Sequence, residues 1–187
     1  MAYKVGIITL SDKGSRGERE DQSGPAICEM LEAWNEKEDR EIYAVDSEVL
    51  LPDDQILLEG VLMGMSDEEG LDLILTTGST GFSPRDIAPE ATYAVATKNA
   101  PGIAEYMRVK SFEITPKAML SRGASVIRNS TLIINLPGSP KAVRENLGFI
   151  LPALEHGLGV LLGRESECGS SEHHGGHGFE SHEHSHV

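Results

Sequence analysis

Leu73-Ile74-Leu75-Thr76-Thr77-Gly78-Ser79-Thr80-Gly81-Phe82-Ser83-Pro84-Arg85-Asp86-Ile87-Ala88-Pro89-Glu90-Ala91-Thr92 begins as an apolar run and stops abruptly in a Thr/Gly turn. An Arg-Asp pair follows, then a Pro-Glu that reads as the first turn of a helix. A buried strand, a loop rich in N–H and hydroxyl donors and a helix start are the parts of an anion-binding site. Thr76, Thr77, Ser79 and Thr80 offer hydroxyls, and Gly78 and Gly81 allow a backbone to approach a ligand closely. Arg85 can hold a phosphate and Asp86 a metal ion. The same residues also suit an ordinary strand-to-helix turn. What favours a ligand is the place, beyond the carboxyl end of a central strand, where open α/β sheets bind their ligands.

Outward from this stretch the chain alternates strand and helix. Residues 5–10 are short, apolar and β-branched and predict a buried strand. A polar loop runs over 11–24. Ser23-Gly24-Pro25 predicts a helix start with Ser23 as cap, and Ile27, Met30, Leu31 and Trp34 form its inner face. Residues 41–50 predict a second strand. Pro52-Asp53-Asp54 opens a helix with Ile56, Leu57, Val61 and Met65 inward, and 71–75 is the third strand. Helical stretches are predicted over 89–99, 102–112 and, shorter, 116–121. Strands at 124–128 and 131–136 are joined by a tight Asn129-Ser130 turn. A last helix starts at Ser139-Pro140, buries Val143, Leu147, Ile150, Leu151 and Leu154, and ends near 162. The alternation predicts an α/β fold with a mostly parallel sheet and helices on both faces.

Two further loops belong with the first. Asn135-Leu136-Pro137-Gly138-Ser139-Pro140-Lys141 repeats the pattern of strand end, Gly turn and capped helix start. Free N–H groups and the dipole of that helix favour an anion, and Lys141 adds a positive charge. A plain capped helix would read the same way. Ser11-Asp12 follows the first strand on the same expected edge. Asp53 and Asp86, at the ends of what are read as adjacent strands, could together hold Mg²⁺ on a polyphosphate, although an acidic residue at a helix start is also good capping chemistry.

Composition bounds the partners. The 187 residues are 39% hydrophobic and 25% charged, values of a globular domain large enough for a full core. A net charge of −14 argues against nucleic acid, which needs clustered Lys and Arg. No apolar stretch approaches a membrane span and the start of the chain reads as a strand rather than a leader, so a cytoplasmic protein is expected. Two cysteines, Cys28 and Cys168, imply no disulfide framework. The reading divides the chain into a catalytic domain over 1–163 and a tail over 164–187 that should be disordered, because almost nothing in it is apolar. The tail holds His173, His174, His177, His182, His184 and His186. Their spacing matches no closed zinc site, but such a tail can bind Ni²⁺ or Zn²⁺ loosely, with Cys168 as a further donor. A metal-storage role led by this tail is a competing reading.

These motifs together resemble the Mog/MoaB family of molybdenum-cofactor biosynthesis, also found as the G domains of plant and animal fusion proteins. The resemblance rests on Ser11-Asp12, Pro52-Asp53, residues 76–92 and Leu136-Pro137-Gly138-Ser139-Pro140-Lys141, with Glu105, Met107-Arg108 and Leu120-Ser121-Arg122 adding to it. It spans roughly 3–163. It implies a three-layer α/β sandwich, commonly a homotrimer, that transfers AMP from Mg·ATP to the phosphate of molybdopterin and releases pyrophosphate. Asp53 and Asp86 match the family's essential aspartates, and a partner enzyme would then insert the metal. The alternative is a non-catalytic molybdopterin-binding or scaffolding module of the same fold. Two departures stand out. The family has Gly where this chain has Ser79, which suggests a tighter or differently turned loop. It also has Thr where this chain has Ala88, and a lost Thr cap costs about 1 kcal/mol.

Overall fold

The computed structural model describes residues 1–165. Six strands form one mixed sheet: β1 (Tyr3–Leu10), β2 (Tyr43–Leu51), β3 (Leu73–Thr77), β4 (Lys98–Asn99), β5 (Ser125–Arg128) and β6 (Thr131–Leu136). Their spatial order is β2-β1-β3-β6-β5-β4. The first four in that order are parallel, and β5 and β4 add antiparallel pairs at one edge. The mostly parallel sheet read from the sequence is thus present, with a shorter antiparallel flank.

Helices α2 (Ser23–Lys37), α5 (Pro101–Phe112) and α6 (Pro140–Leu161) cover one face, and α3 (Gln55–Met63) and α4 (Ala88–Ala94) cover the other. Side-chain alternation along the strands makes both cores. Val5, Ile7, Leu73, Leu75, Leu132 and Ile134 point to the first face; Ile8, Leu10, Ile74 and Ile133 point to the second. Central parallel strands are buried on both sides and therefore read as unbroken apolar runs. The result is three layers.

Several local expectations change. The helix predicted over 89–99 ends at Ala94, and Lys98–Asn99 pairs antiparallel with β5. The polar run after Val95 has no apolar face to bury, so sheet pairing wins there. Ser23 does not cap α2. Asp21 does, its carboxylate accepting the N–H groups of Ser23 (2.9 Å) and Gly24 (3.2 Å). Of the residues expected inward in α3, Met65 is buried and Val61 packs half-buried against the core, but Ile56 and Leu57 are exposed and Leu58 and Leu62 take their place. Asp54 is the N-cap of this helix, accepting the N–H of Leu57 at 3.0 Å. Met65 reaches the core from a π-helical turn over Gly64–Glu68. The tight turn at 129–130 forms as expected, with Asn129 in the left-handed region at φ +53°. The predicted inner face of α6 is buried throughout. The histidine tail and its expected disorder lie outside the described residues.

Candidate functional site

Parallel pairing brings the carboxyl ends of four strands level. Leu51 lies beside Leu10, Thr9 beside Thr77, and Thr77 beside Leu136. The loops at 11–14, 52–54, 78–86 and 137–140 therefore gather at one edge of the sheet. The sequence reading made the strands before Asp53 and Asp86 neighbours; they are not, because β1 runs between β2 and β3. Asp12, at the end of β1, fills the gap. Its Oδ1 accepts the N–H of Asp53 (3.1 Å) and its own N–H donates to Asp53 Oδ2 (3.1 Å). Arg85 then donates two bonds to the Asp12 carboxylate, at 3.0 and 2.8 Å. This fork holds the Asp12 carboxyl below the usual carboxylate range, the Arg85 bonds first and the Asp53 N–H after them.

Two cavities lie at this edge. The first, about 310 Å³, is lined by Ser11, Asp12, Asp21, Asp53 and Asp86 with Gly78, Ser79, Gly138 and Pro140. Glu20 adds a further carboxylate and Lys13 and Arg19 two positive charges, so the cavity is acidic on balance. The second, about 290 Å³, lies between α5, a 3-10 turn over Pro116–Leu120 and the start of α6. Met107 and Leu120 give it an apolar wall, Arg108 and Lys117 outweigh the single carboxylate of Glu145, and Thr80, Gly81 and Pro137 close its near side. The two Gly loops are thus the partition. Gly78, Ser79 and Gly138 face the acidic cavity, and Thr80, Gly81 and Pro137 face the cationic one.

The partition has a defined backbone. Gly78 has φ +93°, and a Cβ there would sit 2.4 Å from the carbonyl oxygen of Leu10. Ser79 is also in the left-handed region, at φ +56°. Its hydroxyl stabilises the turn by accepting the N–H of Ile87 at 2.9 Å, and its carbonyl accepts the N–H of Ala88 at 3.1 Å. The two departures from the family pattern meet here. Ala88 is the first residue inside α4, not its cap, and Ser79 satisfies the helix start from across the loop.

Not every predicted site residue reaches a cavity. Thr76 and Thr77 are fully buried in β3. The Thr77 hydroxyl donates to the Pro137 carbonyl at 2.8 Å, and Thr76 Oγ1 accepts from Asn135 Nδ2 at 2.9 Å. These two hydroxyls hold the partition together rather than face a ligand. Ser139 caps α6 by accepting the N–H of Ala142, and Lys141 turns to solvent beside Glu145. Ser11 caps α1 (Asp12–Ser15). Sequence reasoning quoted Arg108, Arg122 and Asn135 within motifs but gave them no site role, and it did not single out Asp21, whose signal was an acidic residue just before a Ser-Gly-Pro helix start.

Among the described residues no three His, Cys, Asp or Glu side chains come close enough to hold a metal ion on their own. Asp53 and Asp86 both line the first cavity, and two carboxylates could serve an ion that shares its shell with water and phosphate oxygens, as Mg²⁺ usually does.

Such a site, on a three-layer α/β sandwich, defines a ligand-binding protein of the doubly covered sheet class with its loops at the strand ends. The pattern of the family described as a probable molybdopterin binding domain matches residues 6–156, and the chain belongs to that family. It is 42% identical over 159 residues to the molybdopterin adenylyltransferase of Helicobacter pylori, covering 85% of this chain and 88% of that one. The enzyme of the same name from Escherichia coli is 40% identical over 144 residues, covering 77% of this chain and 71% of that one. Among solved structures, the molybdopterin biosynthesis enzyme MoaB of Thermus thermophilus superposes with a TM-score of 0.79 at 46% identity, covering 86% of this chain and 97% of that one.

Proposed function

We infer that this chain is a molybdopterin adenylyltransferase. An oxygen of the molybdopterin phosphate attacks the α-phosphorus of ATP, the bond from that phosphorus to the bridging β-oxygen breaks, and pyrophosphate leaves. The observation that carries the reading, beside the relatives, is the pair of unlike cavities sharing one glycine partition. The acidic cavity suits a polyphosphate that arrives with a divalent cation. The cationic and partly apolar one suits a flat pterin bearing a phosphate. Both phosphates then meet at residues 78–81 and 138. Phosphoryl transfer of this kind depends on positioning and charge neutralisation rather than covalent catalysis.

In this scheme Asp53 and Asp86 hold Mg²⁺, which neutralises charge on the ATP phosphates when bound. Gly78, Ser79 and Gly138 bring backbone close to the nucleotide phosphates. Arg85 lines neither cavity but forks onto Asp12, which lines the first, and a phosphate can take the place of that carboxylate.

Pyrophosphate release by the purified protein tests the reading. Release should require both ATP and molybdopterin. Arg108→Ala with Lys117→Ala should raise the KM for molybdopterin about tenfold or more, as loss of charge-assisted contacts does, and change that for ATP much less. A folded protein that binds molybdopterin and releases no pyrophosphate would be a binding module instead.

The expected homotrimer would cover Tyr106, Val109, Phe112 and Ile114, which α5 and the turn after it expose. A free thiol at Cys28 suits a reducing, cytoplasmic compartment. No helix among the described residues is long and apolar enough to cross a membrane. A partner enzyme that inserts the metal would consume the adenylylated product. Loose Ni²⁺ or Zn²⁺ binding by the histidine tail is an accessory property, and activity should survive removal of residues 165–187.

A further inference from the structure

We propose that Arg122 is the positioning residue of this site, a single guanidinium that fixes the loop bearing Asp86 between the two cavities. The proposal rests on the reading of Asp86 as a holder of Mg²⁺ on ATP.

Arg122 lies in the extended stretch that leads into β5, far from residues 80–90 in sequence. Its backbone N–H donates to the Thr80 carbonyl at 2.9 Å. Its Nε donates to the Gly81 carbonyl at 2.7 Å, and its Nη2 donates to the Asp86 carbonyl at 2.8 Å. Its Nη1 pairs with the Glu90 carboxylate on α4. One residue therefore ties both ends of the 81–86 loop and the helix beyond it. The loop has other ties, the Arg85 fork onto Asp12 and the Ser79 bonds to Ile87 and Ala88, but none of them reaches Gly81. Asp86 accepts the N–H of Ser83 at 3.1 Å, and its N–H donates to the Ser83 carbonyl at 2.9 Å, in a turn whose residues 82–85 are exposed.

The direction of these bonds decides the role. Three of the four end on backbone carbonyls and the fourth on Glu90, so the guanidinium points at the loop's frame and its charge is matched locally. Arg122 lines neither cavity. It acts through Asp86 and not on a substrate. A planar fork with donors in fixed directions can bridge two carbonyls and a carboxylate at once; an ammonium on a flexible stem cannot.

Arg122→Lys and Arg122→Ala, set beside Asp86→Asn, test this. Two quantities are read: amide hydrogen exchange over residues 82–87, and the Mg²⁺ concentration that half-saturates pyrophosphate release. Loss of a partner that orients a ligand group typically costs about 10- to 100-fold, so both arginine variants should need about tenfold more Mg²⁺ and exchange about tenfold faster over 82–87. The lysine variant keeps the charge and should fail as the alanine variant does. Unchanged exchange, or an unchanged Mg²⁺ requirement in folded Arg122→Lys, overturns the proposal. If Asp86→Asn itself leaves the Mg²⁺ requirement at the wild-type value, the reading of Asp86 fails. Faster exchange in the arginine variants would then mark Arg122 as a purely structural clamp, and the positioning role falls with it.

Discussion

Gly78→Ala is expected to destabilise the fold by about 3 kcal/mol, through strain at a special dihedral added to a backbone clash. At about 2–4 °C per kcal/mol for a chain of this length, thermal unfolding should come near 10 °C earlier. Two causes act together. At φ +93° an alanine adopts a conformation that L-residues avoid, and its methyl carbon would lie 2.4 Å from the Leu10 carbonyl oxygen. That neighbour is backbone in a central strand and cannot rotate away. The ends of β1 and β3 would have to part, and both cavities would lose their shared wall. Activity should fall with stability, even well below the new melting temperature. Ser79 is the built-in comparison. It is also left-handed, and Ser79→Gly loses the hydroxyl's bond to Ile87 but keeps the carbonyl's bond to Ala88 and relieves the left-handed strain, so it should change the melting temperature far less. Differential scanning calorimetry of the two variants, with pyrophosphate release measured at about 25 °C, checks the contrast.

Asp86→Asn should leave the fold intact and lower the rate of adenylyl transfer by about 10²–10³, the usual loss when one preorganised electrostatic contact to a developing charge is removed. The asparagine side-chain oxygen can still accept the Ser83 N–H, so the turn survives and only the charge is lost. Asp53→Asn should behave alike, with one difference. Asp53 Oδ2 accepts the N–H of Asp12, so this change also touches the element that carries the Arg85 fork. A near-wild-type rate for both variants would remove the two aspartates from the mechanism.

The layered fold was readable because its signals are local. Unbroken apolar strands such as residues 73–75, the Ser139-Pro140 helix start and the apolar face of α6 each show within a few residues. The site was readable only in part. Gly78, Asp53 and Asp86 stand out by residue type at a strand end. What joins them does not. Asp12 bridges β2 and β3 only because β1 is folded between them, and that order is not visible in a chain that lists β1 first. Arg122 stands in a family-like Leu-Ser-Arg stretch, but that stretch does not say that it binds carbonyls some forty residues away. Thr76 and Thr77 misled for the opposite reason. A hydroxyl at the end of a strand looks available, and whether a neighbouring carbonyl or amide has already claimed it depends on the register of β6.

The close contact of the two glycine loops has a thermodynamic side. A Cβ on Gly138 would sit 3.1 Å from the Cα of Gly78, so the loops lie backbone against backbone, and the Thr77–Pro137 bond fastens them. Chain entropy at this wall is therefore lost during folding and not when a nucleotide or pterin arrives. Freezing a flexible loop residue on binding costs roughly 1–2 kcal/mol. A partition ordered in advance removes that cost from binding for every residue in it. The exposed segment 82–85 lacks this advantage, and any ordering penalty on association should be concentrated there.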